Sequence, residues 1–382
     1  MPKRDFDYRP NPGRAVYAFG PFDDELLSKI VPEITRFRFE NATPITLFIN
    51  SPGGVIRCLE ILSGVLWDED IDSKRCRVIT VASGDAASAA ATLLALGDYS
   101  IAYRRSEIYF HGARFREMEV TTESAAECAA QLAHKNREIA FRLANSVIRK
   151  LVHRYSIVCQ SFDQTRAELK DGSLSDIECF VRAIFAKVGW RGEQVLNNAF
   201  EKTKAALRLS ENILDKMNFS DEQKPIQQDA AVFRAVLKHE LKQLSKAGWR
   251  LDDEGCSQLV SDYLLLRDYE FGHHQKSLTW VAGRYGLPFL TNEEFAEYKA
   301  INEKSEADAL KWRINKVAPR LKPFWYFTVR LCQQLQEGEN RLSATDAYWL
   351  GIVDEVVGTD LQGYRAFMEA AAEDEPPLTA SP

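Results

Sequence analysis

The sequence predicts an α/β fold in which repeated βαβ units surround a mainly parallel sheet, together with an all-α insertion. Over residues 15–112, short β-branched or apolar runs alternate with segments of helical spacing. That alternation favours a parallel sheet, because parallel strands are joined by crossover connections that usually contain a helix. From residue 121 to about residue 320 the strand patterns give way to helical spacing, which predicts a long helix followed by further helices.

The strands are predicted from five short runs, at residues 15–19, 45–49, 78–81, 101–103 and 107–110. The run at 45–49 is almost entirely apolar, as expected for a strand that is buried on both faces. Acidic residues 23–25 begin the first helix, where they complement the helix dipole. Pro32 predicts a kink or a break in that helix.

The most informative stretch follows the strand at 78–81. Gly84 and Asp85 predict a tight turn, and the chain then continues as an alanine- and leucine-rich helix with Ser88 at its head. Unpaired backbone N–H groups at a helix N-terminus can stabilise an oxyanion beside Ser88. Serine is also favoured as a simple helix cap, so this residue alone does not define a site.

Two further loops follow predicted strands in the same way. Gly53 and Gly54 come just after the strand at 45–49, and His111 follows the strand at 107–110. Because parallel strands place their carboxyl ends along one edge, we expect these loops to converge with Ser88. Taken by itself, His111 is better explained as a capping or core histidine than as a catalytic one.

The composition is that of an ordinary globular protein, with 45% hydrophobic and 27% charged residues among 382. The net charge of −6 argues against a nucleic-acid partner bound through a basic surface. No apolar run approaches the length needed to cross a bilayer, so no membrane association is expected. The basic first residues are not followed by an apolar core, and we expect no secretory signal.

The seven cysteines are scattered and include no Cys-x-x-Cys pair. This pattern favours reduced thiols in a cytosol over a disulfide framework or a zinc site. His273 and His274 raise the question of a metal site, but no carboxylate or cysteine lies at convincing ligand spacing. We therefore expect a soluble, cytoplasmic protein that needs no metal or other cofactor.

Five segments, in the correct order, resemble the proteolytic subunit of the Clp protease, ClpP, within the ClpP/crotonase fold. The resemblance covers roughly residues 14–155 and 324–358. The segments are Gly-Pro-Phe-Asp-Asp-Glu at 20–25, Ile-Asn-Ser-Pro-Gly-Gly at 49–54, Gly-Asp-Ala-Ala-Ser at 84–88, His111, and the Ser-Ala to Gly-Ile-Val-Asp pattern at 343–354.

The resemblance implies a serine peptidase that cleaves peptides or unfolded proteins through an acyl-enzyme intermediate. Ser88 would be the nucleophile and His111 its general base, which a serine requires at neutral pH. The backbone N–H groups of Gly54 and Ala89 would form the oxyanion hole. It also implies a homo-oligomeric ring and an AAA+ unfoldase as a partner.

This sequence departs from the family pattern at the third catalytic residue. The family has an aspartate a few residues before the Ser-Ala pair, and Glu339 occupies that position here. Glutamate can orient a histidine, although its extra methylene shifts the geometry. Asp346 and Asp354 are alternatives for the acid, and each is as well explained as a helix cap or a surface residue.

A second departure is a long insertion after the family's "handle" helix. We predict a flexible arm at residues 1–14, a core at 15–155, a helical insertion at 156–320, a return to the core at 321–360 and a disordered acidic tail at 361–382. The insertion could block ring stacking, form a cap or provide a docking surface.

Two other functions are open. A crotonase-type enzyme would use the same oxyanion geometry on acyl-CoA thioesters, but it would have no use for the serine–histidine pair. A degenerate subunit would act as a scaffold or regulator, and the missing aspartate is the best support for it.

Overall fold

A computed structural model describes residues 10–67, 76–114, 121–158, 172–209, 282–283 and 286–361 of the chain. The strands in these ranges are β1 Ala15–Phe19, β2 Ile45–Ser51, β3 Val78–Ala87, β4 Tyr99–Tyr103, β5 Glu107–Phe110, β6 Asn340–Ser343 and β7 Glu355–Val357. They form one sheet in the order β1-β2-β3-β4-β7, with β5 beside β3 and β6 beside β5. All pairings are parallel except that of β5 with β6. The predicted α/β fold with a mainly parallel sheet is confirmed.

The α-helices of the same ranges connect and cover this sheet. They are α1 Asp24–Glu40, α2 Ile56–Trp67, α3 Ala89–Leu96, α4 Thr122–Val158, α5 Gly172–Phe185, α6 Trp190–Leu209, α7 Asn292–Asn302, α8 Glu306–Gln336 and α9 Ala344–Trp349. None of them combines the length and the apolar character that a bilayer span requires.

Helix α1 shows why the first half of the chain folds as predicted. Its buried residues recur at helical spacing, and the Asp23 side chain caps its N-terminus by accepting a hydrogen bond from the Leu26 amide at 2.9 Å. Pro32 lies inside the helix, which continues to Glu40, so of the two predicted outcomes the break is wrong and the kink stays a prediction. Pro32 and Ser28 are both exposed, so the Ser28 carbonyl that lacks a helical donor can bind water.

Strand β3 differs from the prediction, because it does not end in a turn at Gly84 and Asp85. It continues to Ala87, and its pairing with β2 shifts register between Ile49 and Ser51. The Asn50 side chain fills this irregularity: its Oδ1 accepts a hydrogen bond from the Asp85 amide at 3.1 Å. A Cβ on Gly84 would lie 2.4 Å from the same oxygen, so the glycine permits the close approach.

Strand β3 is long enough to pair with two strands in succession. Residues Ile79 to Ala82 of β3 pair with β4, whereas Ala86 and Ala87 pair with β5. As a result, the end of β3 that leads into Ser88 lies beside β5, which leads into His111.

The described helices of the predicted insertion pack into the same hydrophobic core as the sheet. Aromatic residues from α4, α5 and α8 pack together with Phe289, and the Tyr155 and Phe289 rings stack 4.4 Å apart. The Gly189 amide, between α5 and α6, donates to Asp346 at 2.7 Å. Residues 1–9, 210–281 and 362–382, which include His273, His274 and most of the predicted arm and tail, lie outside the described residues. The domain division therefore stays a prediction.

Two buried cations join α4 to the segment that returns to the sheet. Lys150 Nζ donates to the carbonyls of Ala95 and Ile352 and lies 3.6 Å from the Asp354 carboxylate. Arg154 donates to the carbonyls of Tyr348 and Val353. The contacts with Tyr348, Ile352 and Val353 span about 200 positions of the chain and lie just before β7, which pairs with β4.

Candidate active site

Ser88 occupies a strained position between β3 and α3. Its φ of 56° and ψ of −122° make it the only non-glycine residue with positive φ in the described ranges. A side chain in this region costs about 1–3 kcal/mol, and such strain is concentrated at functional positions. Ser88 lies at the N-cap position of α3, but its side chain makes no capping hydrogen bond. The half-buried hydroxyl is therefore not explained as a helix cap.

Backbone contacts hold Ser88 between its two neighbours in the sheet. The Ser88 amide donates to the carbonyl of Tyr109 in β5 at 2.7 Å. On the other side, a Cβ built on Gly53 would lie 2.4 Å from the Ala87 carbonyl oxygen and 2.7 Å from the Ser88 Cβ. Only a glycine allows the loop after β2 to approach Ser88 this closely.

The amides predicted to form an oxyanion hole are those of Gly54 and Ala89. Gly54 lies in an isolated bridge to Phe22, in which the Phe22 amide donates to Gly53 and the Val55 amide donates to Phe22. No turn or loop hydrogen bond of the described residues uses the amide of Gly54 or Ala89. Ala89 begins α3, where the first N–H groups lack a partner within the helix.

Replacing Gly53 with alanine is expected to destabilise the protein and to displace Ser88. A matched control is Gly20→Ala, because Gly20 has a similar φ of 90° but open space around its Cα, whereas Gly53 has a φ of 83° and no space. We expect Gly20→Ala to cost about 1–2 kcal/mol from the backbone alone. Gly53→Ala should cost about 1–3 kcal/mol more. Urea denaturation measures both, and equal losses would show that the Gly53 contact with Ser88 is unimportant.

His111 follows β5 directly and is half-buried. Its Nδ1 lies 2.7 Å from the Gly112 carbonyl oxygen, which can only accept a hydrogen bond. Nδ1 is therefore the donor in this contact, and in the neutral ring Nε2 then has the lone pair that a general base requires. The His111 ring also contacts the Tyr109 ring, with centroids 5.4 Å apart.

Glu339 immediately precedes β6 and lies near His111. The antiparallel register ends with the pair of Phe110 and Asn340, and His111 and Glu339 are the residues just beyond this pair. The Glu339 carboxylate, however, accepts a hydrogen bond from Arg114 at 2.8 Å. The hydrogen bond and charge of Arg114 lower the pKa of the Glu339 carboxyl, and Tyr109 and His111 act in the same direction.

The two alternative acids have other roles. Asp346 caps α9 in a capping box with Ser343, and it also accepts the Gly189 amide. Asp354 is fully buried, where its carboxylate accepts the Ser100 amide at 2.7 Å and faces Lys150. Asp346 is thus a helix cap, and Asp354 is an interior residue rather than a surface one.

The structure brings the predicted residues to one edge of the sheet without connecting their side chains. Among the described residues, no hydrogen bond joins the Ser88 hydroxyl to His111 or the His111 ring to Glu339. Catalytic hydrogen bonds are often long in the absence of substrate. Within the same ranges, no group of three or more His, Cys, Asp or Glu residues is arranged to hold a metal ion.

Sequence reasoning missed two residues that shape this edge. Asn136 of α4 accepts the Ala113 amide at 2.7 Å and fixes the loop after His111. Arg114 pairs with Glu339. Neither belongs to a motif, and an asparagine or an arginine in a polar stretch has no distinguishing sequence pattern.

The sheet topology and the serine, glycine and histidine loops at one edge define an α/β protein of the ClpP fold type. Residues 11–153 match the family described as Clp protease. The ATP-dependent Clp protease proteolytic subunit of Carsonella ruddii (strain PV) is 39% identical over 84 residues, which are 22% of this chain and 41% of the relative. This match covers less than half of the chain, and it shows that residues 11–153 are similar to the Clp protease family. It spans about two fifths of the length of this curated relative.

Proposed function

We propose that the protein is a ClpP-like serine peptidase that hydrolyses peptides or unfolded proteins. The observation that carries the proposal is the strained Ser88, held by the Tyr109 carbonyl on one side and contacted by Gly53 on the other. A hydroxyl at the head of a helix, beside free amides and a neighbouring imidazole, is what acyl transfer needs.

In the proposed reaction, the Ser88 hydroxyl oxygen attacks the peptide carbonyl carbon while His111 Nε2 accepts the hydroxyl proton. The amides of Gly54 and Ala89 donate hydrogen bonds to the resulting oxyanion. When the C–N bond breaks, His111 returns the proton to the leaving amine and an acyl-enzyme ester remains. Water then repeats the sequence, releasing the acid and regenerating Ser88.

A fluorophosphonate probe tests the nucleophile directly, because its phosphorus is attacked by an activated serine with loss of fluoride. We expect the wild-type chain to be labelled and Ser88→Ala to remain unlabelled. Ser83→Ala is the matched control, since Ser83 lies in the same strand and its hydroxyl donates to the Ile49 carbonyl. Labelling of Ser88→Ala, or absence of labelling in the wild type and in Ser83→Ala, would contradict the proposal.

The second candidate function is that of an inactive subunit that serves as a scaffold or regulator. It is favoured by the pairing of Glu339 with Arg114 instead of His111. In that case the wild type would neither react with the probe nor hydrolyse peptides, whereas it would still assemble with a ClpP-type partner. The mass of the purified protein with and without such a partner distinguishes the two functions.

The homo-oligomeric ring, the AAA+ unfoldase partner and the cytoplasmic location remain predictions that follow from the family. The Carsonella ruddii relative is named as a subunit of an ATP-dependent protease, which supports a partner ATPase. Native mass measurement of the full chain tests the ring, and stimulation of peptide hydrolysis by an unfoldase and ATP tests the partner.

A further inference from the structure

We propose that Arg114 is a positioning residue that holds the carboxylate of Glu339 away from His111, so that the acid is withheld from the site at rest. This inference rests on the proposed function, because it assigns a role to the acid of the same site. Release of Glu339 from Arg114 would let the carboxylate accept the hydrogen bond from His111 Nδ1.

Glu339 and His111 would have to exchange hydrogen-bond partners, and each of them already has one. Glu339 Oε1 lies 2.8 Å from Arg114 Nη2. His111 Nδ1 lies 2.7 Å from the Gly112 carbonyl oxygen, which occupies the place that a triad acid would take. A backbone carbonyl can orient the imidazole, but it carries no charge to stabilise the cation that forms during the reaction. Replacing the Gly112 carbonyl with the Glu339 carboxylate would therefore make His111 a better general base.

The backbone of the acid is anchored, so only its side chain has to move. The Asn340 amide group donates to the carbonyls of Gln334 and Leu335 at the end of α8, and β6 is paired with β5. Residues directly opposite each other in an antiparallel pair have Cβ atoms about 4.5–5.5 Å apart. We expect His111 and Glu339, one residue beyond the last pair of this ladder, to keep a similar separation, so that a change of side-chain rotamer at Glu339 brings its carboxylate to the His111 ring.

Other charged groups near His111 do not compete for Glu339. Arg341 pairs with Glu107 at 3.2 Å and lies over the Tyr109 ring. Tyr109 is itself the aromatic neighbour of His111. Among the described residues, Arg114 is the cation that forms an ion pair with Glu339.

The strength with which Arg114 restrains Glu339 depends on the solvent exposure of the two side chains. The Arg114 and Glu339 side chains are 60% and 68% exposed, so solvent and salt screen their attraction. Removing such a pair changes a two-state equilibrium by about two- to five-fold. Arg114 therefore modulates the population of the competent site and does not switch it off.

The test compares Arg114→Gln with Arg114→Lys, which keeps the positive charge, and with the double variant Arg114→Gln/Glu339→Gln. The readouts are the pKa of His111 by NMR titration and kcat for a peptide. The chain contains six histidines, so a His111→Gln variant assigns the resonance. We expect Arg114→Gln to raise the His111 pKa through contact with the freed carboxylate, by at most about 0.7 unit, because a five-fold change in the population of the competent site sets this limit.

That rise should persist near 0.5 M salt, where the Debye length is about 4 Å, because a contact pair is screened less than a distant charge. It should be absent in Arg114→Lys and in the double variant, and kcat of Arg114→Gln should rise about two- to five-fold. A His111 pKa that is unchanged in Arg114→Gln, or that rises equally in the double variant, overturns the inference. If the pKa rises as expected while no variant hydrolyses peptide or reacts with the fluorophosphonate, the proposed peptidase fails and the role of Arg114 stands.

Discussion

Replacing Ser88 with alanine is expected to lower peptide hydrolysis by about 10³-fold or more, because no neighbouring group can replace the nucleophile. The loss should appear in kcat rather than in KM, since the hydroxyl acts only in the chemical step. Rates measured for a short unstructured peptide, with and without an unfoldase, give the comparison. Retention of more than about one tenth of the wild-type kcat would exclude Ser88 as the nucleophile.

Stability measurements on the same position separate a catalytic role from a structural one. Ser88→Ala keeps the Cβ and should leave the free energy of unfolding unchanged within about 0.5 kcal/mol. Ser88→Gly removes the Cβ from a backbone with φ of 56° and should stabilise the protein by about 1 kcal/mol. A more stable but inactive Ser88→Gly variant would mean that the strain is retained for function. A destabilised Ser88→Gly variant would contradict this.

Replacing Lys150 with methionine is expected to destabilise the protein by about 3–5 kcal/mol, because Asp354 is left as a buried charge without its cation. Both side chains are fully buried and lie 3.6 Å apart. The double variant Lys150→Met/Asp354→Leu removes both charges and should recover most of the loss. Urea denaturation of the two single variants and the double variant at pH 7 measures the coupling between the residues.

A second lysine of α4 provides the control. Lys135 pairs with Glu60 and Glu138, but it lies near the surface with 30% of its side chain exposed. Lys135→Met should therefore cost no more than about 1 kcal/mol. A loss equal to that of Lys150→Met would show that burial does not decide the effect.

The pKa of Lys150 makes the stability of the folded protein depend on pH. Burial lowers this pKa from 10.5 to about 8, against the opposing charge of Asp354. Because the unfolded chain holds the proton more tightly, the stability of the wild type should rise between pH 8 and 10.5 relative to Lys150→Met. A difference between the two proteins that stays constant across this window would contradict the depressed pKa.

Local sequence patterns predicted the architecture of the sheet well and its irregularities poorly. Alternating strand and helix patterns predicted the parallel sheet, and the apolar residues of α1 occupy the predicted face. The prediction of a turn at Gly84 was wrong. A glycine can end a strand or let a neighbouring group approach, and which of the two occurs depends on the residues beside it. Here the neighbour is the Asn50 side chain, from another strand.

For the candidate site, the order of the motifs predicted which loops meet. The strand ends carry Gly53, Ser88 and His111 to one edge, as expected from parallel pairing. The state of the acid was not predictable. Glu339 is bound by Arg114, and Asp354 faces Lys150; each pair joins residues more than 200 positions apart in the chain.

By itself, the sequence determined the α/β fold, the similarity of residues 11–153 to the Clp protease family and the candidate residues, because hydrophobic periodicity and short motifs depend on neighbouring residues along the chain. Only the tertiary structure decided the strained backbone of Ser88, the carbonyl bound to His111 and the cation bound to Glu339. These features depend on side-chain distances between separate strands and loops. A change of a few ångströms exchanges one hydrogen-bond partner for another and leaves every sequence pattern unaltered.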